Sequence, residues 1–248
     1  MKALITGASS GIGRDMARYL SSLGYDLIIV ARRENLLQEL KNSLKTNVEV
    51  VSLDISNTEN CQKLFESHKD IDLLINNAGF GDFGKFDETD LNKELSMIDT
   101  NIKSLHILTK LYLQEMKQKN SGKILNVASI AGFMSGPLMA TYYATKNYVV
   151  ALSKAINKEL EKDNSNVTVS VLCPGPVNTN FDNVANVKFS LKGLSSEYVA
   201  KYAIDKMLKG KKLIIPGKMM KVIYFGNKIA PSKISLEIAY NSQSRKQK

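Results

Sequence analysis

Short runs of almost continuously apolar, β-branched residues recur along this chain, separated by amphipathic segments of helical length. The runs are Lys2–Ile5, Asp26–Ala31, Val48–Leu53, Ile71–Asn76, Gly122–Ala128, Val167–Cys173 and Leu213–Ile215. A strand with one wet face alternates apolar and polar residues. These do not, so they read as strands buried on both faces. Helical periodicity marks the segments near Ile12–Leu23, Glu34–Lys45, Thr58–His68, Asp90–Lys119, Thr141–Asp163 and Ser196–Lys209. Such alternation predicts an α/β fold: a doubly wound, mostly parallel seven-stranded sheet with helices on both faces. A chain of 248 residues suits a single domain of this kind.

The first strand runs through TGASSGIG, Thr6 to Gly13, directly into a helix. Gly7, Gly11 and Gly13 let the backbone turn tightly and approach a pyrophosphate, whose charge the helix N-terminus stabilises. Ile12 sits within the same turn, and Ser9 and Ser10 add hydroxyl donors. Placed between strand one and helix one, the turn predicts a Rossmann-type dinucleotide site. Strand two ends in Ala31-Arg32-Arg33 and lacks the acid that would bond an unphosphorylated adenine ribose. A guanidinium pairs with a 2′-phosphate, whereas a carboxylate repels it. NADP(H) is therefore the expected cofactor, with Arg32 the stronger candidate for the phosphate and Arg33 the second. Strand three ends in Asp54-Ile55, suited to an adenine ring, and strand four in NNAG, with Asn77, Ala78 and Gly79 small enough for close passage of the cofactor.

Strand five ends in NVASIAG, which brings Ser129 to the carboxyl edge of the sheet. Tyr142 and Lys146 follow, four residues apart and so on one face of a helix. An ammonium beside a phenol favours the phenolate and is expected to lower the tyrosine pKa. Ser129 and Tyr142 can polarise a carbonyl together. Tyr143, three residues before Lys146, is assigned to packing or to the substrate wall. His68 and His106 have no partners at metal or triad spacing, and no metal site is expected.

Jointly, the glycine pattern, NNAG, the Ser129–Tyr142–Lys146 set and CPGPVNT at Cys173–Thr179 resemble the short-chain dehydrogenase/reductase superfamily, over nearly all of Lys2 to about Ile215. The resemblance implies that Tyr142 is the catalytic acid/base and that Lys146 also binds the nicotinamide ribose, while Ser129 orients the carbonyl. It matches Asn101, in DTNIKS, to an asparagine holding a water that links Lys146 to solvent. It places Pro174, Gly175, Val177 and Thr179 beside the nicotinamide. The continuation after residue 217 is similar to the NADP(H)-preferring carbonyl-reductase branch called DltE-like.

The segments after the strand ends contribute Phe80, Phe83, Phe133, Met134, Leu138, Phe181, Val187 and Phe189, a lining suited to a small apolar or amphiphilic carbonyl substrate. The last of them, Pro176–Ser195, carries Asn178, Asn180, Asn183 and Asn186 and reads as a lid. The formal charge of +10 is unevenly spread. From Lys209 onward ten cations (Arg245, Lys246 and Lys248 the last of them) face one acid, Glu237, so the body is close to neutral and no nucleic-acid partner is expected. Residues 1–217 are read as the catalytic domain. Residues 218–248 are read as a basic amphipathic extension that packs on the domain, on a partner subunit or against anionic lipid. A homodimer or homotetramer is expected. Two cysteines and a strand at the very start point to a cytoplasmic protein without a signal peptide. The expected activity is NADPH-dependent reduction of a ketone, keto ester or 3-oxoacyl compound. The alternatives are an oxidative hydroxysteroid or secondary alcohol dehydrogenase, and a non-catalytic NADP(H)-binding regulator.

Overall fold

The computed structural model describes residues 1–185 and 193–244. In chain order it contains β1 (Lys2–Thr6), α1 (Gly11–Ser22), β2 (Asp26–Ala31), α2 (Glu34–Asn42), β3 (Val48–Ser52), α3 (Thr58–Ser67), β4 (Leu73–Asn76) and α4 (Leu91–Ile98). A π-helical turn (Asp99–Ser104) leads into α5 (Leu105–Lys119), β5 (Lys123–Val127), a 3₁₀ turn (Ile130–Phe133), α6 (Ala140–Lys162) and β6 (Thr168–Leu172). Then come β7 (Val177–Asn178), α7 (Phe181–Val184), β8 (Leu194–Ser195), α8 (Ser196–Leu208), β9 (Leu213–Ile214), α9 (Lys218–Ile229) and α10 (Ser232–Ser244). Seven strands pair in the order β3-β2-β1-β4-β5-β6-β9, every ladder parallel. The doubly wound sheet expected from the alternation is present.

Its strands feed two cores. Ala3 and Ile5 of β1, with Leu27 and Ile29 of β2, pack against Met16 and Leu20 of α1 and Val199, Ala203 and Ile204 of α8. Their neighbours Leu4, Ile28 and Val30 point the other way, onto Leu64 of α3, Leu108 and Tyr112 of α5 and Leu160 of α6. Successive residues of a strand face opposite sides, so helices on both faces require apolar residues at every position. The winding reverses at β1, which pairs with β2 on one side and β4 on the other. Such a switch point opens a crevice at the carboxyl ends of the strands.

One feature departs from the sequence expectations, and two segments gain detail that the sequence left open. The helix read as continuous over Asp90–Lys119 is interrupted by the π turn at Asp99–Ser104. A π turn differs from an α turn by one register of hydrogen bonding, for which the periodicity of so short a stretch carries little signal. The segment read as a lid holds α7 and the small parallel pair β7–β8. Within it, Asn186, Val187 and Phe189 lie outside the described residues, as do Arg245, Lys246 and Lys248 of the tail. Finally, the extension is a pair of helices, α9 and α10, that lies along the cleft described next.

Candidate active site

A cleft of about 920 Å³ runs along the carboxyl edge of the sheet, from the turn after β1 to the C-terminal helices. Its nucleotide end is built on backbone geometry. Gly7 and Gly11 have φ of +67° and +55°, the left-handed region that favours glycine. A side-chain carbon on Gly7 would lie 2.8 Å from the Ala78 Cα, and one on Gly11 would lie 3.1 Å from the Thr179 Cγ2. The turn is thus pressed between the NNAG segment and the loop after β6. The capping residue of α1, Ser10, makes no side-chain cap bond, which leaves that helix end without a side-chain acceptor from its own cap. Gly13 does not line the cleft. It is buried against Asn77, whose side chain donates to the Thr6 and Gly7 carbonyls at 3.1 Å each.

The two arginines take different partners. Arg33 Nη2 donates to the hydroxyls of Ser9 and Ser10, at 3.0 and 3.1 Å. Arg32 lies 3.8 Å from the Asp54 carboxylate and is largely exposed. Both line the cleft with Asp54 and Ile55. Geometry makes Arg33 the one that closes over the glycine turn.

Ser129, Tyr142 and Lys146 meet at the middle of the cleft. Ser129 caps the 3₁₀ turn, its Oγ accepting from the Ala131 N–H at 3.2 Å. Lys146 is buried and donates to the Val127 carbonyl at 3.0 Å, with its Nζ 5.8 Å from the Tyr142 ring centroid. Burial, which penalises the ammonium, lowers the Lys146 pKa to about 8. The Tyr142 pKa, expected to fall, instead lies well above the ordinary phenol value. Burial is the cause, only partly opposed by a hydrogen bond with Ser129, because the phenolate pays a desolvation cost.

Asn101 stands behind this group, on the π turn. Its Oδ1 accepts from the Phe80 N–H at 3.1 Å, and its Nδ2 donates to the Phe80 carbonyl at 2.9 Å and to Thr145 Oγ1 at 3.0 Å. Its side chain therefore ties the NNAG loop to α6 from behind the cleft wall. Pro174, Gly175, Val177 and Thr179 line the cleft on the side of the β6 loop.

At the far end the walls are apolar. Phe80, Met134 and Phe181 face the cleft, whereas Phe83 and Leu138 do not, and Phe133 packs on Tyr224 with centroids 4.6 Å apart. Residues missed by sequence reasoning complete the enclosure: Met220, Ile223 and Asn227 of α9, and Ile238, Ala239 and Gln243 of α10. Gln243 is buried and donates to the Tyr143 hydroxyl at 2.5 Å. Amphipathicity marked the tail as helical but could not say which surface it would cover. The described residues contain no group of His, Cys, Asp and Glu suited to a metal ion, and no helix long and apolar enough to cross a membrane.

A doubly wound sheet with this cleft and a serine, tyrosine and lysine at its centre defines an oxidoreductase of the nicotinamide-dependent kind. The chain belongs to the short-chain dehydrogenase family, whose model matches residues 1–188. It is 33% identical over 189 residues to the 3-oxoacyl-(acyl-carrier-protein) reductase FabG of Rickettsia prowazekii, covering 75% of this chain and 76% of that protein. Two solved structures share its fold with TM-scores of 0.82 and 26% identity. One is a short-chain dehydrogenase from Sphingobium yanoikuyae in complex with NADPH, covering 92% of each chain. The other is a short-chain dehydrogenase/reductase from Burkholderia phymatum in complex with NAD, covering 90% of this chain and 91% of that one.

Proposed function

We propose that the protein is an NADP(H)-dependent carbonyl reductase in which Tyr142 protonates the substrate oxygen. The convergence of Ser129, Tyr142 and Lys146 at the centre of one cleft, between the glycine turn and an apolar end, carries this reading. The glycine cradle and the cationic, hydroxyl-rich donor set fit a phosphorylated dinucleotide. Gly7, Gly11, Ile12 and the free end of α1 would hold the pyrophosphate, Arg33 and Arg32 with Ser9 and Ser10 the 2′-phosphate, and Asp54 and Ile55 the adenine. Asn77, Ala78, Gly79, Lys146, Pro174, Gly175, Val177 and Thr179 would border the nicotinamide riboside. When bound, the cofactor supplies hydride to the carbonyl carbon.

The chain's own part is polarisation and proton delivery. The Ser129 hydroxyl donates to the carbonyl oxygen, and Tyr142 gives it the phenolic proton, kept in place by burial at neutral pH. Lys146, with its pKa near the working range, returns a proton to the tyrosine. Asn101 positions the loop that borders both. The apolar far wall supports a ketone, keto ester or 3-oxoacyl compound as substrate. The same residues serve the oxidative direction.

Tyr142→Phe tests the reading. Turnover of a ketone panel with NADPH falls by about 10²–10⁴-fold, while NADPH affinity, read by fluorescence titration, stays within about twofold. Undiminished turnover overturns the assigned proton donor. Tight NADPH binding by the unsubstituted protein with no turnover of any ketone or alcohol favours the non-catalytic regulator.

A further inference from the structure

The helix α9 is apolar on both sides, and only one of them is covered. Met220 and Tyr224 are buried against the domain, and Ile223 faces the cleft. On the opposite side Val222, Phe225 and Ile229, at the i, i+3, i+7 spacing of a single stripe, are 71%, 64% and 87% exposed. A surface helix normally turns one apolar face to the core, so a second apolar stripe on the opposite side marks a surface made to be covered. The next helix, α10, carries further exposed apolar residues, Ile234, Leu236 and Tyr240, and Ile238, which is 63% exposed and also lines the cleft. The apolar surface is thus continuous with the interior of the cleft.

The charges around the patch say what covers it. Lys218, Lys221, Lys228 and Lys233 are exposed on the same two helices, against the single acid Glu237. In the sequence Arg245, Lys246 and Lys248 follow, outside the described residues. A second copy docked symmetrically through this face would set lysines against lysines, which opposes association. An apolar stripe framed by lysines instead matches the depth profile of an anionic bilayer, with apolar side chains below the headgroups and ammonium groups among them.

We infer that the exposed faces of α9 and α10 are a docking surface for an anionic lipid membrane, and that they present the mouth of the cleft to that membrane. An amphiphilic carbonyl compound then reaches the site from the lipid rather than from water. Only the identity of what enters rests on the carbonyl-reductase reading. The docking surface itself stands on the exposure and charge of the two helices.

Vesicle co-sedimentation of the full chain tests the inference without any turnover, so its outcome is independent of the catalytic assignment. With vesicles of phosphatidylcholine plus phosphatidylglycerol the protein pellets, and with phosphatidylcholine alone the partition coefficient is at least about tenfold lower. Raising the salt weakens binding. Phe225→Ser with Ile229→Ser, and separately Lys218→Gln with Lys221→Gln, each reduce binding by about tenfold or more. These side chains are exposed and do not line the cleft, so thermal stability and turnover of a short soluble ketone stay unchanged and report correct folding. Failure to bind phosphatidylglycerol vesicles overturns the inference, as does binding that both variants retain. So does dissociation of an oligomer by the Phe225/Ile229 variant in analytical ultracentrifugation, which would assign the face to a second copy.

Discussion

Arg33 and Arg32 are neighbours in sequence with different electrostatic surroundings. Among the described residues Arg33 bonds to neutral hydroxyls alone, those of Ser9 and Ser10, and these are groups a phosphate would also engage. Arg32 already faces the Asp54 carboxylate, so any phosphate must compete with that partner. A charge-assisted hydrogen bond contributes about 1.5–3 kcal/mol. Arg33→Ala therefore raises the Kd for NADPH by about ten- to a hundredfold and leaves NADH nearly unaffected, whereas Arg32→Ala weakens NADPH less. Titration of both cofactors against both variants checks this. Equal losses for NADH and NADPH would mean that Arg33 supports the turn and does not read the phosphate. The residue types at this site were legible in the sequence because strand ends in a parallel sheet converge on one crevice. The partition between Arg32 and Arg33 was not, because it depends on how the side chains fan out beyond β2.

At the scale of elements, the π turn decides what Asn101 can do. It interrupts what would otherwise be one long helix and carries the Asn101 side chain against Phe80, where it answers both the N–H and the carbonyl of that residue. Asn101→Ala leaves those groups without their partner, at a cost of about 1–3 kcal/mol. The expected result is a lower urea midpoint together with a fall in kcat, since the loop from Asn77 to Phe80 lines the cleft with Tyr142 and Lys146. Loss of stability with unchanged kcat would reduce Asn101 to a structural role. The strands were readable to within a residue or two because burial on both faces demands apolar residues throughout, as Ala3, Leu4 and Ile5 illustrate. The turn at DTNIKS was not, since π and α geometry draw on the same side chains. The two-residue strands β7 and β8 are too short to carry periodicity. For α9 and α10, apolar spacing identified helices with faces to bury but not the cleft they enclose, because that choice is made by tertiary packing.

At the scale of the whole molecule, the buried Lys146 couples folding to pH. Its pKa is about 8 in the folded protein against the ordinary 10.5. Below pH 8 both states hold the proton, and the fold bears the full cost of enclosing an ammonium. Between about 8 and 10.5 the unfolded chain still holds a proton that the folded one has released, so stability rises with pH through this window. The other buried groups act oppositely. Burial raises the thiols of Cys61 and Cys173, from 9.0 to about 11 and about 12, and also raises the phenols of Tyr112 and Tyr142. These groups ionise first in the unfolded chain, and stability falls as pH passes their ordinary values. The wild-type profile therefore mixes both signs, and a comparison with Lys146→Met separates them. The variant keeps the thiols and phenols but carries no buried cation. Its unfolding free energy relative to wild type is highest near neutral pH and declines by about 2–3 kcal/mol between about pH 7 and pH 10. Its absolute offset also contains the loss of the bond to the Val127 carbonyl, so the slope is the diagnostic quantity. Urea unfolding of both cofactor-free proteins across this range measures it. A difference that does not change with pH would mean that Lys146 keeps an ordinary pKa despite its burial, and the proposed return of a proton to Tyr142 would then lack a donor with a pKa near the working range.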